Sequence, residues 1–125
     1  MENSKHSKVT KYPLKQDTCI EYSWEKMKTS GPTPSPRAYH SANPLGQRIF
    51  IFGGCDSKGT PMDDIYVFNA SNFSWEYPTT TGTSPKRGHH AAAFVGTTLY
   101  IIGGWDGSRR KVFHYSIVFL LILKL

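Results

Sequence analysis

Cysteine is scarce in this 125-residue chain. The two present, Cys19 and Cys55, cannot build the framework of a small secreted domain, which takes an even set of about four or more. Apolar runs are as rare. Residues 1–30 contain none, so no secretory signal is visible, and an intracellular setting (cytoplasm or nucleus) with two free thiols is expected. The longest apolar run, residues 117–123, holds seven residues, where a membrane helix needs about 20. Charge runs are missing too. The net charge is +6, but Lys5, Lys8, Lys11 and Lys15 are spread among Glu2, Asp17 and Glu21. The one tight basic cluster, Arg109-Arg110-Lys111, falls short of the roughly 5–8 residues of a nucleic-acid patch. No nucleic-acid or membrane partner is therefore expected.

Catalytic constellations are also lacking. "GGCDSKGT" (53–60) is glycine-rich but has no Gly-Lys-Ser/Thr and no helix after it, so it is no phosphate loop. His40, His89, His90 and His114 show no metal-ligand spacing. His89 and His90, adjacent on an expected strand, would point to opposite faces. No serine stands in a nucleophile-elbow pattern. The expectation is a chain without catalytic residues, cofactor or metal.

What the sequence does hold is a repeat. "RIFIFGG" (48–54) and "TLYIIGG" (98–104) lie 50 residues apart. Arg37 and Arg87 keep that offset, as do His40 and His90, and Cys55-Asp56 answers Trp105-Asp106. Trp24 and Trp75 are 51 apart, as are Gly31 and Gly82, because "GPTPSPR" (31–37) carries one residue more than "GTSPKR" (82–87). A period of about 50 residues marks stacked supersecondary units.

Each unit reads as short antiparallel strands. "CIEYSWEKM" (19–27) alternates, with Ile20, Tyr22 and Trp24 on one face, and predicts a half-buried strand. "AYHSANPL" (38–45) and "RIFIFGG" flank Gly46-Gln47, a tight hairpin turn. "IYVFN" (65–69) and "FSWEYP" (73–78) follow as third and fourth strands, joined at "ASN" (70–72). The second copy repeats the order: "HHAAAFV" (89–95), Gly96-Thr97, "TLYIIGG", and a third strand expected within "VFHYSIVF" (112–119). Eleven glycines and eight prolines suit many turns, and no segment has sustained helical periodicity. The expected fold is all-β.

With these residues in view, "PRAYHSANPLGQRIFIFGGCDSKGTPMDDIYVFNASNFSW" (36–75) and "KRGHHAAAFVGTTLYIIGGWDGSRR" (86–110) resemble the kelch repeat family. Its pattern is a strand pair ending in Gly-Gly, then an aromatic and a Trp separated by six residues. Phe68 and Trp75 fit that spacing, with Phe where Tyr is usual. WD40 repeats are shorter, and Trp105-Asp106 lies in a loop rather than closing a unit. The resemblance implies a partial β-propeller of four-stranded antiparallel blades, whose ring this chain alone does not close. Gly53, Gly54, Gly103 and Gly104 would allow close backbone approach, and Trp24 and Trp75 would fill the wedge between blades.

The resemblance divides the chain into a flexible polar lead (1–18), the last strand of a preceding blade (19–28), a complete blade (37–78) and an incomplete one (87–119). Residues 117–125 are expected to be an apolar tail outside the repeat pattern. About two and a half repeats fall below the roughly three needed for stability. The expectation is therefore a truncated isoform or gene fragment, or a protomer completed by other chains through its open edges. The resemblance implies a non-enzymatic interaction module, a scaffold or a substrate receptor of the ubiquitin-ligase kind. Its partner would be a protein or peptide with acidic groups or a free carboxylate, met by Arg37, Arg87, Arg109 and Arg110. Galactose oxidase shares the propeller and binds copper, but its ligands have no counterpart here, and fold alone carries no activity.

Overall fold

The computed structural model describes residues 21–108 and 118–123. Seven strands form two antiparallel sheets. The first sheet has the order β1 (Ser41–Leu45), β2 (Arg48–Phe52), β3 (Ile65–Asn69), β4 (Ser74–Glu76). The second has β5 (Ala91–Val95), β6 (Thr98–Ile102), β7 (Val118–Ile122). The described residues contain no helix and no closed ring, so the fold is two blades of a partial propeller.

Local chemistry sets the hairpins. Gly46 (φ +58°) and Gly96 (φ +59°) hold the first central position of two-residue turns, where a left-handed φ matches the twist of the flanking strands. The registers Leu45↔Arg48 and Val95↔Thr98 follow directly.

The two sheets stack face to face. Phe50 and Phe52 of β2, with Ile65 and Val67 of β3, form one wall of the core. Leu99 and Ile101 of β6 form the other, flanked by Ala92, Phe94, Phe119 and Leu121. Each such apolar side chain, fully buried, contributes about 1.5–3 kcal/mol. An offset of 50 would match Phe50 and Phe52 to Tyr100 and Ile102. The buried residues of β6 are one position over, because the second blade turns its opposite face to the first. Like blades stacking by rotation about an axis must do this, since the front of each meets the back of the next.

Backbone contacts lock the seam. Gly54 N donates to Arg87 O at 2.8 Å, Arg87 N to Met62 O at 3.0 Å, and His89 N to Tyr39 O at 3.0 Å. Side chains add Asn43 Nδ2 to Ala92 O at 2.8 Å and Ser84 Oγ to Asp63 O at 2.6 Å. Gly53 has φ +61°, and a Cβ there would strike the Arg87 carbonyl; Gly54 would press on Ala38 O at 2.7 Å. These two positions need glycine because the neighbouring backbone passes against them.

Two expectations change. The half-buried strand at 19–27 does not form where it can be seen: residues 21–29 are exposed and outside any sheet, and Trp24 is fully exposed instead of wedged between blades. A lone last strand needs the rest of its blade as a pairing partner, and the described residues offer none. Only Ser30 pairs, in a parallel bridge to Ser74 with Trp75 N donating to Ser30 O at 2.8 Å. Trp75 packs against Phe68 with the rings tilted (4.9 Å between centroids, 50° between planes), on the face turned away from the second sheet.

The apolar tail is the second correction. It is not outside the repeat: Val118–Ile122 is the third strand of the second blade, paired with β6 from Ile102↔Val118 to Thr98↔Ile122. The connection from β2 to β3 takes residues 53–64, while that from β6 to β7 takes residues 103–117, three more. The third strand therefore starts three residues later than the repeat offset from Ile65 would put it, on a strongly strand-prone segment; Val112 to Tyr115, where it was expected to begin, lie outside the described residues. Phe119 and Leu121 fill the core that β6 opens to them.

Candidate partner-binding face

Arg37 and Arg87 enter their blades just before the first strand, at the end of the sheets where the Gly-Gly turns lie. Arg37 is held by five contacts. Nη1 donates to Asp64 Oδ1 (2.5 Å) and Gly53 O (3.0 Å), and Nη2 to Asp64 Oδ2 (3.0 Å) and Ser35 Oγ (3.1 Å). Nε donates to Ser35 O at 3.1 Å. All five N–H groups are used, the guanidinium lies 5.5 Å over the Tyr66 ring, and the side chain is 4% exposed. The carboxylate that Arg37 grips in the fork geometry suited to it is its own Asp64. A ligand carboxylate finds no donor left there.

Arg87 repeats the pose without the clamp. Its guanidinium lies 5.1 Å over Phe119, which occupies the place of Tyr66. Its nearest carboxylate is Asp106 at 3.4 Å, its contact to Lys86 O is also 3.4 Å, and its buried Nε has no hydrogen-bond partner among the described residues. Asp106 itself is turned to its own loop: Ser108 N donates to it at 2.9 Å. That bond, with further help from Ser108 and Arg87, holds its carboxyl below the ordinary range. Asp56 does the same in the first blade, accepting from Thr60 N (2.8 Å) and Lys58 N (2.9 Å). Beside Arg87 lies an open depression lined by Asp63, Thr83, Ser84, Pro85, Lys86 and Phe119. Arg109 and Arg110 lie outside the described residues.

The residues after the two arginines carry a feature that strand reading missed. Tyr39 (φ +60°) and His89 (φ +58°) are both left-handed, a conformation that costs a bulky residue about 1 kcal/mol or more. Neither belongs to a strand, although Tyr39 was expected within 38–45 and His89 within 89–95. Their rings stack at 3.6 Å and 24° across the seam, with Tyr39 59% exposed. Their offset of 50 residues was the signal that could have found them.

His90 turns the other way, inward. Its Nε2 meets Ser41 Oγ at 2.9 Å, its ring packs edge-on against Phe52, and its buried Nδ1 has no hydrogen-bond partner among the described residues. Burial, with repulsion from His40, Arg87 and His89, pushes it down to about 4, so it is neutral at physiological pH. Cys55 is a buried free thiol whose pKa burial pushes up, with the Asp56 carboxylate adding to the effect. Cys19 lies outside the described residues. Among the described residues, no group of three or more His, Cys, Asp or Glu could hold a metal, and no helix is long and apolar enough to cross a membrane.

Comparison with known proteins agrees with this architecture. The model of the KLHDC2/KLHL20/DRC7 Kelch-repeats domain matches residues 3–121. The Rab9 effector protein with kelch motifs of Danio rerio is 36% identical over 90 residues, covering 69% of this chain and 26% of that protein. Its Homo sapiens counterpart is 34% identical over 90 residues, covering 69% and 24%. The Rho GTPase-activating protein gacHH of Dictyostelium discoideum is 36% identical over 81 residues, covering 63% and 5%. The chain thus spans about a quarter of the length of the Rab9 effector relatives.

Proposed function

Because the chain belongs to the kelch-repeat family, we propose that it is a non-enzymatic binding module for a protein or peptide partner that presents a carboxylate. The observation that carries this reading is the contrast between the arginines. Arg37 is saturated by Asp64, whereas Arg87 keeps an unpartnered Nε at the rim of an open depression. A guanidinium already desolvated and held over an aromatic ring gains most from a second, bidentate acceptor. The Tyr39–His89 stack on the same end of the sheets supplies exposed aromatic surface, and rigid aromatics are favoured anchors at interfaces. Free, buried Cys55 supports an intracellular setting. A role as a ubiquitin-ligase receptor would draw on the family resemblance and on domains beyond the two blades.

The test is fluorescence polarisation with a panel of acidic peptides, each made with a free C-terminal carboxylate and as the C-terminal amide. Charge-assisted hydrogen bonds of about 1.5–3 kcal/mol predict roughly 10–100-fold weaker binding for the amides, with Arg87→Lys producing a similar loss. Binding that ignores both amidation and Arg87→Lys overturns the reading.

A further inference from the structure

The intramolecular seam is an interface between the front of one blade and the back of the next. Among the described residues, the chain carries a second, uncovered copy of each half. The front of the first blade (Phe50, Phe52, Ile65, Val67) is buried against the second blade. The same front on the second blade is open. There Tyr100 and Ile102 replace Phe50 and Phe52, Leu120 replaces Val67, and Val95 replaces Leu45. Leu120 is 54% exposed, Ile122 60% and Val95 67%. The strand positions of this face, taken from β5, β6 and β7, include no charged residue.

The back face recurs in the same way. On the second blade Ala92, Phe94, Leu99, Ile101, Phe119 and Leu121 pack into the core. Their counterparts on the first blade are Ala42, Pro44, Ile49, Ile51, Tyr66 and Phe68, and this sheet face also carries no charge. Ala42 and Pro44 are exposed, and the other four are half-buried. An apolar face without a single charged position, at each end of a two-blade stack, is unusual for a surface left to water.

We propose that the 125-residue chain associates with further copies of itself head to tail, the open front of the second blade of one copy seating on the open back of the first blade of the next. The occupant follows from the seam itself, because each open face is the repeat equivalent of a face that already packs against the other. The polar contacts of the seam do not carry over. Asn43 and Ser41, which bridge to the second blade, correspond to Ala93 and Ala91, so the contact between copies is apolar. The contact is heterologous, and a heterologous contact closes into a ring when its rotation permits. Two blades per copy reach the about 4–8 blades of closed propellers with two to four copies. The inference is independent of the carboxylate site, which lies at the loop end of the sheets.

Light scattering coupled to size-exclusion chromatography tests it, with two variants at exposed positions. Leu120→Glu spoils the open front and Ala42→Glu the open back; neither removes a buried side chain, and circular dichroism melts check that both fold. The expected result is a wild-type mass of two to four chains and a single-chain mass for each variant alone. An equimolar mixture of the variants should recover a two-chain mass, because each retains the half that the other has lost. A wild-type chain that stays single up to the millimolar range, either variant remaining associated, or a mixture that stays single each overturns the proposal.

Discussion

The first blade closes on itself and the second stays open, although both carry the same phrases. In the first, Asp64 stands immediately before β3 and delivers both carboxylate oxygens to Arg37. In the second, the three extra residues between β6 and β7 change what precedes the third strand, and the acid near Arg87 comes from the loop instead, at 3.4 Å. The arginine-over-aromatic contact survives the slip (Tyr66 in one blade, Phe119 in the other), and the ion pair does not. Ring contacts tolerate a change of register, since any aromatic at the right strand position serves. A bidentate salt bridge needs one residue at one place.

Four experiments break or sharpen this contrast. Leu99→Ala should have the largest effect, because Leu99 is fully buried in the wall shared by both sheets. Its removal is expected to cost about 2–5 kcal/mol in urea unfolding. Tryptophan fluorescence, which Trp75 in the first sheet contributes to, should shift together with circular dichroism; separate transitions would mean that the blades unfold independently.

Asp64→Ala should follow at about 3 kcal/mol, since it strands a buried guanidinium. Asp106→Ala removes a longer contact whose carboxylate is itself exposed, so it should cost less, about 1 kcal/mol. Equal losses on a denaturant curve would erase the distinction drawn between the two arginines.

His90 gives a pH handle on the seam. Its folded pKa of about 4 lies below the ordinary 6.5, so between those values the unfolded chain takes up a proton that the folded chain resists. Stability is therefore complete above pH 6.5, falls as pH drops toward 4, and levels off below. The loss should be about 1–2 kcal/mol, with allowance for solvent screening of a half-buried ring. His90→Gln should flatten the melting temperature across that window; a slope as steep as wild type would assign it to other groups. The smallest effect concerns Cys55, buried and with its pKa raised. Thiol labelling at neutral pH should be slower at Cys55 in the folded protein than after unfolding, and equal rates would show the site to be open.

The sequence made the hairpins legible because their determinants are local. Gly46 and Gly96 fix the turns, and alternation fixes which residues of β2 and β3 face inward. The start of the third strand of the second blade was not legible, because its position depends on which distant segment β6 recruits, and the repeat offset of 50 from Ile65 pointed to Tyr115. Trp24 misled for a related reason: alternation describes a strand only when a partner sheet exists. At the candidate site, the positions of Arg37 and Arg87 were readable from the repeat, but their unequal partners depend on loop geometry. The Tyr39–His89 stack rests on left-handed backbone that no propensity would assign to tyrosine.

The backbone bonds across the seam have a kinetic consequence. Gly54 N–H and Arg87 N–H are donated to the opposite blade, not along a ladder within their own. Fraying at a strand end therefore does not release them. Their exchange with solvent deuterium requires the two sheets to part, so the two amides should exchange at a common rate, set by the free energy of that opening. Ladder amides in the middle of β2 and β6 are held within their own sheets and can stay protected through the same event. The slow-exchange pattern of this small chain thus separates two openings: the melting of a blade, and the parting of one blade from the other.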